Sequence, residues 1–212
     1  MRSPDWEKEG IRLFLGDAVS LLPALVADVT ITDPPYGNGT PYKSYIDTKE
    51  NLQSLINSFL PICLANTKNT LITCGVANLW LYPKPKWTLC WTEPAGCGSG
   101  PWGFCCWQPI LAYGKDPFLS ARLGRRPDLF QGKGAKAGCK EHPCAKPPAF
   151  MNWLVIRGTA KEETTILDPF MGSGSTLVAA IETKRKGIGI EIDPDYFSIA
   201  VNRCEQALQQ RQ

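Results

Sequence analysis

The sequence has a single histidine, three methionines and no long run of apolar residues. A helix that crosses a membrane needs about 20 consecutive apolar residues, so we expect none here. Residues 1–8 are charged and contain no apolar stretch, which predicts no secretory signal. With 43% hydrophobic and 20% charged residues among 212, the composition is typical of one globular domain spanning residues 1–212. We expect it to be cytoplasmic.

No pair of the nine cysteines has the Cys-x-x-Cys spacing of a common zinc site, so no metal site is predicted. An odd number of cysteines without a secretory signal indicates free thiols rather than a disulfide framework. Four cysteines lie in apolar patterns and are interpreted as small core residues: Cys63, Cys74, Cys90 and Cys204.

The net charge of +3 is distributed unevenly along the chain. Residues 115–146 carry eight Lys or Arg against three Asp or Glu, so this segment alone has a net charge of +5. It is also rich in glycine and proline. A basic loop of this kind is either a solvated surface segment or one that contacts phosphates, and charge alone does not decide between the two.

Short apolar runs alternate with amphipathic stretches. The apolar runs predict strands and end in an acid or a turn signal: residues 11–15, 29–32, 70–74, 165–167 and 188–190. The amphipathic stretches predict helices: residues 18–25, 51–60, 148–156, 175–182 and 195–209. This alternation predicts an α/β fold with a doubly wound, mostly parallel sheet covered on both faces. Pro61 is expected to end or kink the second helix.

The middle of the chain is rich in tryptophan, glycine and proline and follows neither pattern well. Residues 87–92 and 108–113 predict two strands that pair at one edge of the sheet. Trp87 and Trp91 are interpreted as core residues of that edge. Trp102 and Trp107 lie among glycines, and they either pack inside the protein or stack on nucleic-acid bases.

A glycine-rich turn, Asp168-Pro169-Phe170-Met171-Gly172-Ser173-Gly174-Ser175-Thr176, follows a predicted strand and opens a helix. Glycines allow a close approach to a ligand, and the helix N-terminus supplies free N–H groups. It is not a P-loop, because no Gly-Lys-Ser/Thr follows, and Leu177 stands where a dinucleotide-binding turn has its third glycine. Asp168 would repel a pyrophosphate but suits a cationic ammonium group.

Glu191 ends the next predicted strand, at the position that binds ribose hydroxyls in doubly wound folds. A ligand with a ribose, an ammonium group and no phosphate fits S-adenosylmethionine, which we therefore predict as the cofactor. The residues expected to bind it are the two acids with the turn and its neighbours: Asp168, Phe170, Gly172, Gly174, Ser175, Thr176, Glu191 and Ile192.

Asp33-Pro34-Pro35-Tyr36 follows the strand predicted over residues 29–32. Alone, it is a rigid turn. Together with the turn at residues 168–176, it resembles the amino-methyltransferases of DNA, which methylate exocyclic base amines. The order of the two motifs resembles the circularly permuted β-class of that family. The resemblance is close over residues 11–37, 142–177 and 187–204 and loose over residues 38–141.

The resemblance implies a circularly permuted, Rossmann-like methyltransferase sheet with a small inserted target-recognition segment. It also adds cofactor-site residues. Asp17 matches the acid that contacts the cofactor's adenine, and Asp33 adjoins the cofactor. His142 and Lys146 match a His-Pro-x-x-Lys-Pro segment on the cofactor side.

The catalytic residues implied are Asp33, Pro34, Pro35 and Tyr36. An aryl amine is a poor nucleophile, because its lone pair is delocalised into the ring. Asp33 and the Pro34 carbonyl would accept its two N–H groups, localise the lone pair and stabilise the developing positive charge. Tyr36 would offer a face to a base flipped out of the duplex.

The resemblance favours the N6 amine of adenine, because members of the family that act on cytosine N4 more often have Ser-Pro-Pro-Tyr, whereas the first motif position here is Asp33. Methylation of cytosine N4 or of adenine in RNA, and a nucleic-acid-binding protein without turnover, are the alternatives.

The expected partner is double-stranded DNA, and the resemblance also suggests restriction–modification. The residues expected to contact DNA are Tyr42, Lys43, Arg122, Arg125, Arg126, Lys133 and Lys136. Residues 93–141 are interpreted as inserted basic, Gly- and Trp-rich segments, too short for a separate recognition domain. This predicts a short or relaxed target sequence, unless a second subunit contributes, as in a homodimer.

Overall fold

The computed structural model describes residues 2–93, 98–132 and 146–211. The strands are β1 Trp6–Lys8, β2 Ile11–Leu15, β3 Val29–Thr32, β4 Asn69–Thr73, β5 Trp87–Thr92, β6 Ser99–Gly100, β7 Gly103–Phe104, β8 Trp107–Gly114, β9 Leu129–Gln131, β10 Thr165–Asp168 and β11 Lys186–Glu191. The α-helices are α1 Ala18–Leu21, α2 Lys49–Asn66, α3 Pro117–Ser120, α4 Pro148–Gly158, α5 Ser175–Glu182 and α6 Pro194–Arg211. Short 3₁₀ helices cover Leu22–Ala24 and Val76–Leu81.

One large sheet has the strand order β1-β2-β11-β10-β3-β4-β8-β5-β9. Its five central strands, from β2 to β4, are parallel to one another, whereas β8 is antiparallel to both β4 and β5. Helices α1 and α2 cover one face, and α4, α5 and α6 cover the other. The predicted doubly wound α/β fold is therefore confirmed. Among the described residues, no helix is long and apolar enough to cross a bilayer.

The carboxyl ends of the five parallel strands lie on one side of the sheet, which we call the carboxyl edge. Because Thr73 at the end of β4 pairs with Ile110 near the start of β8, β8 begins at this edge. Thr92 at the end of β5 pairs with Trp107, so β5 finishes there. The segment that joins β5 to β8 therefore leaves and re-enters the sheet at the carboxyl edge.

Of the two expected effects of Pro61, an end or a kink of helix α2, the first does not occur, because α2 continues to Asn66. A proline removes one N–H donor from the helix, and here the carbonyl left without it belongs to Asn57. Asn57 and Pro61 are both exposed, so water can take the donor's place, while Phe59, Leu60 and Cys63 stay buried on the other side. Packing of this apolar face outweighs the local cost.

The paired strands β5 and β8 are confirmed, but β9 rather than either of them forms the edge of the sheet. Trp91 is buried and stacks on Phe150 at 4.4 Å between ring centroids, as expected of a core residue. Trp87 was wrongly assigned to the core: it is 62% exposed, and its indole N–H donates to Asp128. Cys63, Cys74 and Cys204 are buried and Cys90 is half-buried, in line with their interpretation.

Candidate active site

A cavity opens at the carboxyl edge, where polar residues follow the parallel strands. Asp33 follows β3, Asp168 ends β10, Glu191 ends β11, and Asp17 lies two residues after β2. All four line this cavity. Acids far apart in the sequence therefore meet because parallel strands expose their carboxyl ends on the same side.

The turn between β10 and α5 requires its glycines. Gly172 has φ +53° and Gly174 has φ +80°, conformations that side chains rarely adopt. A Cβ atom on Gly174 would lie 3.0 Å from the Cβ of Ala200 in α6, so the space is also closed. The turn brings Phe170, Ser175 and Thr176 into the cavity wall; Gly172 lines it too.

Asp168 is 1% exposed and yet borders the cavity. Its Oδ1 accepts hydrogen bonds from the Thr32 hydroxyl at 2.7 Å and from the Phe170 N–H at 3.1 Å. Burial raises the pKa of Asp168 to about 6, although hydrogen bonds from Thr176, Thr32 and Phe170 oppose the shift. A carboxylate that is buried, oriented and open to a cavity is suited to a cation.

Glu191 is held by backbone donors. Its Oε2 accepts from the Gly172 N–H at 2.9 Å and its Oε1 from the Asp193 N–H at 2.8 Å. Burial raises the pKa of Glu191, and these backbone bonds act in the opposite direction. Each carboxylate oxygen can accept more than one hydrogen bond, so the group stays able to receive hydroxyl donors from the cavity.

Asp33 lies in a compact polar cluster. Its Oδ1 accepts from the Tyr36 hydroxyl at 2.6 Å and from the Thr73 hydroxyl, while its Oδ2 pairs with Lys146 Nζ at 2.7 Å. Lys146 also donates to the Tyr36 hydroxyl at 3.0 Å. Burial and the nearby Asp33 charge raise the pKa of Tyr36 well above its usual value, so Tyr36 stays a neutral donor. Gln108 of β8 lies 3.4 Å from the same hydroxyl.

Residues 37–47, which we call the strap, follow the turn at residues 33–36, line the cavity, contact the start of α6 and lead to helix α2. The Asp47 carboxylate is 4% exposed and accepts from the backbone N–H groups of Gly37, Asn38 and Thr40 at 2.6 to 3.1 Å. At the far side, Lys43 Nζ lies 2.5 Å from Asp195 Oδ2. The strap is therefore an ordered wall of the cavity, and Lys43, expected to contact DNA, pairs within the protein.

Other predicted residues also reach the cavity. Asp17 lines it and caps α1, where its carboxylate accepts from the Ser20 N–H at 2.9 Å. The remaining predicted residues in the wall are Pro34, Pro35, Tyr42, Lys146 and Ile192. His142, Lys133 and Lys136 lie outside the described residues, as do Cys97, Cys139 and Cys144.

The three predicted DNA-contacting arginines do not lie with the catalytic cluster. Strand β8 ends at Gly114, which pairs with Asn69 at the amino end of β4. The exposed residues Arg122, Arg125 and Arg126 follow from there, and Arg126 stacks 4.9 Å from the ring centroid of Phe118. They therefore sit towards the opposite edge of the sheet. The direction of β8, which is not readable from the sequence, puts them there, and their contact with DNA stays a prediction.

Within residues 2–93, 98–132 and 146–211, no three His, Cys, Asp or Glu side chains gather as metal ligands would. The fold and the cavity instead correspond to a methyltransferase that uses S-adenosylmethionine: the donor set offers a buried acid for its ammonium group and a second acid for its ribose. The chain belongs to the DNA methylase family of N6 and N4 amino-methyltransferases, whose family model matches residues 85–202.

Individual relatives agree with this assignment. The type II methyltransferase M.ScaI of Streptomyces caespitosus is 26% identical over 97% of this chain and 85% of its own length. Three further curated type II methyltransferases match over at most 37% of this chain and at most 30% of their own length.

Two solved structures share the fold. The M1.HpyAVI–SAM complex superposes with a TM-score of 0.69 at 23% identity, covering 91% of this chain and 98% of that one. The cytosine-N4-specific PvuII methyltransferase gives 0.73 at 16% identity, covering 99% and 94%. The predicted family and cofactor are thus confirmed, while the circular permutation stays a prediction.

Proposed function

We propose that this protein transfers a methyl group from S-adenosylmethionine to the exocyclic N6 amine of adenine in DNA. The observation that carries the proposal is the Asp33 cluster, which lies in the same cavity as Asp168 and Glu191. The cluster provides an oriented hydrogen-bond acceptor for an amine, and the two acids provide a site for the methyl donor. The Asp at position 33 favours adenine over cytosine N4.

The cavity fits the cofactor by its chemistry. Asp168 would hold the ammonium group, because its buried carboxylate gains a neutralising partner when the cation binds. Glu191 would accept hydrogen bonds from the ribose hydroxyls, and Asp17 would border the adenine. When bound, S-adenosylmethionine supplies a methyl carbon activated by a positively charged sulfur.

The protein's own contribution is to orient the amine. Asp33 and the Pro34 carbonyl would each accept one N–H, which leaves the nitrogen lone pair free to attack in line. The new N–C bond forms as the S–C bond breaks, and the electron pair of the S–C bond stays on sulfur. The nitrogen then carries a positive charge, which Asp33 stabilises until one proton leaves.

Asp33 lines a cavity inside the protein, and a base stacked within a duplex cannot enter it. The target base must therefore leave the duplex to reach Asp33. Residues that leave the carboxyl edge would then meet the DNA. The β6–β7 hairpin lies between β5 and β8 and exposes Trp102 completely and Phe104 to 82%. We propose that Trp102 stacks on bases beside the flipped nucleotide, since stacking needs no particular base.

The basic segment that contains Lys133 and Lys136 leaves β9 and leads to Lys146. Its contact with phosphates stays a proposal that rests on charge. A homodimer is likewise a proposal, as is a short or relaxed target sequence.

Transfer of a labelled methyl group to duplex DNA tests the proposed activity. Wild-type protein should label DNA, and Asp33→Ala should not, although it should bind S-adenosylmethionine as the wild type does. Equal labelling by both proteins would contradict the mechanism. No labelling by a wild-type protein that binds the cofactor would instead support the alternative of a nucleic-acid-binding protein.

The hairpin has its own test. Trp102→Ala should weaken binding to duplex DNA and leave cofactor affinity unchanged. Trp87→Ala is the matched control, because Trp87 is also exposed but lies at the other end of β5. Equal DNA affinity in Trp102→Ala and the control would rule out the stacking role.

A further inference from the structure

The ammonium group of Lys146 is committed to the catalytic cluster. Its Nζ lies 2.7 Å from Asp33 Oδ2, 3.0 Å from the Tyr36 hydroxyl and 5.0 Å from the centre of the Tyr36 ring. The side chain of Lys146 is only 9% exposed, and that of Asp33 is 24% exposed. A buried ammonium group is costly unless it is paired, so these contacts fix its place.

Lys146 donates to Oδ2 of Asp33, the carboxylate oxygen that the other donors do not contact. The hydroxyls of Tyr36 and Thr73 both donate to Oδ1. With one oxygen held, the plane of the carboxylate could still turn, because the last torsion of Asp is broad. Lys146 donates to Oδ2 and so fixes the second oxygen and the plane.

The backbone makes this contact rigid. Lys146 directly precedes Pro147, the N-cap of helix α4. Helix α4 packs against β3 and β4, the strands that lead to Asp33 and to Thr73. An ammonium group near a helix N-terminus is disfavoured by the helix dipole, and the ion pair with Asp33 offsets that cost. The pair thereby ties α4 to the catalytic turn.

We infer that Lys146 is a positioning residue: it fixes the plane of the Asp33 carboxylate so that its remaining lone pairs meet the target amine. This differs from the sequence-based assignment of Lys146 to the cofactor. It rests on the proposed methyl transfer, because the orientation of Asp33 matters only if an amine binds there.

The test compares kcat at saturating S-adenosylmethionine with the Kd of S-adenosylmethionine, the latter by calorimetry. Lys146→Met keeps most of the length of the side chain and removes its donors, and Lys146→Arg keeps the charge. Lys68→Met is the control, since Lys68 pairs with Asp28 at 2.8 Å at the amino ends of β3 and β4. Thermal melting shows whether each variant folds.

Lys146→Met should lower kcat by about 10²-fold, as expected for a misplaced reacting group, with the Kd unchanged within about threefold. Lys146→Arg should recover part of kcat, and Lys68→Met should match the wild type. If Lys146→Met does not fold, Lys146→Leu, which also lacks a donor, replaces it under the same criteria.

A higher Kd for S-adenosylmethionine in Lys146→Met, with normal kcat at saturation, would make Lys146 a cofactor ligand and overturn the inference. Unchanged kcat in the folded variant that lacks the donors would overturn it as well. A wild-type protein without any transfer would instead remove the proposed function, and this inference with it.

Discussion

The Thr32 hydroxyl donates a 2.7 Å hydrogen bond to the Asp168 carboxylate, across 136 positions of sequence. Thr32 ends β3, immediately before Asp33, and Asp168 ends β10, so the bond joins the strand that presents the amine acceptor to the strand that leads into the cofactor turn. Both residues are 1% exposed. At the carboxyl edge, this buried polar contact therefore adds to the backbone pairing of β3 with β10 in placing the two halves of the site.

Thr32→Val, which keeps the shape and removes this donor, should lower the free energy of unfolding by about 1–3 kcal/mol, the cost of leaving a buried acceptor short of a partner. Thr32→Ser keeps the hydroxyl and is the control. Urea unfolding measures both. A Thr32→Val variant as stable as the wild type would show that the bond contributes nothing to stability.

The pKa of Asp168, raised to about 6 by burial, predicts a pH dependence of cofactor binding. Below about pH 6 the free protein carries Asp168 mainly in the neutral form, so the Kd for S-adenosylmethionine should rise as the pH falls. Asp168→Asn should bind weakly with a flatter profile, while Glu191 still titrates. Calorimetry from pH 5 to 8 measures this, and identical profiles in both proteins would contradict the assignment.

The same shift predicts the sign of a stability effect. The folded-state pKa of Asp168 lies above its ordinary value of 3.8, so folding takes up a proton between about pH 4 and 6. The contribution of Asp168 to the free energy of unfolding should therefore increase as the pH falls through this window. Urea unfolding at several pH values, compared between the wild type and Asp168→Asn, separates the contribution of Asp168 from those of the other acids.

Gly174→Ala should destabilise the protein more than Gly39→Ala. Both glycines have similar positive φ angles, +80° and +83°, and so share the backbone strain of about 1–2 kcal/mol. A Cβ at Gly174 also meets Ala200, whereas nothing lies within 4 Å of one at Gly39. The crowding should add about 1–3 kcal/mol. Equal losses in chemical unfolding would show that the turn has room for a side chain.

Asp47→Ala should speed the release of S-adenosylmethionine, because three backbone N–H groups of the strap lose their acceptor. Lys43→Met is the control, since it removes only the exposed pair with Asp195, which solvent screens. Stopped-flow dissociation measures both rates. A strap that does not cover bound cofactor would give unchanged release in Asp47→Ala.

The sequence predicted the parts of the site that follow from periodicity. Apolar runs located the strands, and the acids after them, Asp33, Asp168 and Glu191, converge because parallel strands share one carboxyl edge. Thr73, Asp47 and Gln108 were missed, because a single polar residue in a strand or loop has no pattern that reveals its partner. Their contacts depend on strand order and direction, which only the folded sheet establishes.

Identification of the methylated nucleosides in DNA tests the central claim most directly. The protein is expressed in a host without DNA methylases of its own, and the digested DNA is examined by nucleoside mass spectrometry, with Asp33→Ala as the control. We predict N6-methyldeoxyadenosine in DNA from cells with the wild-type protein and none with Asp33→Ala. N4-methyldeoxycytidine alone would contradict the choice of adenine, and the absence of any methylated base would contradict the proposed activity itself.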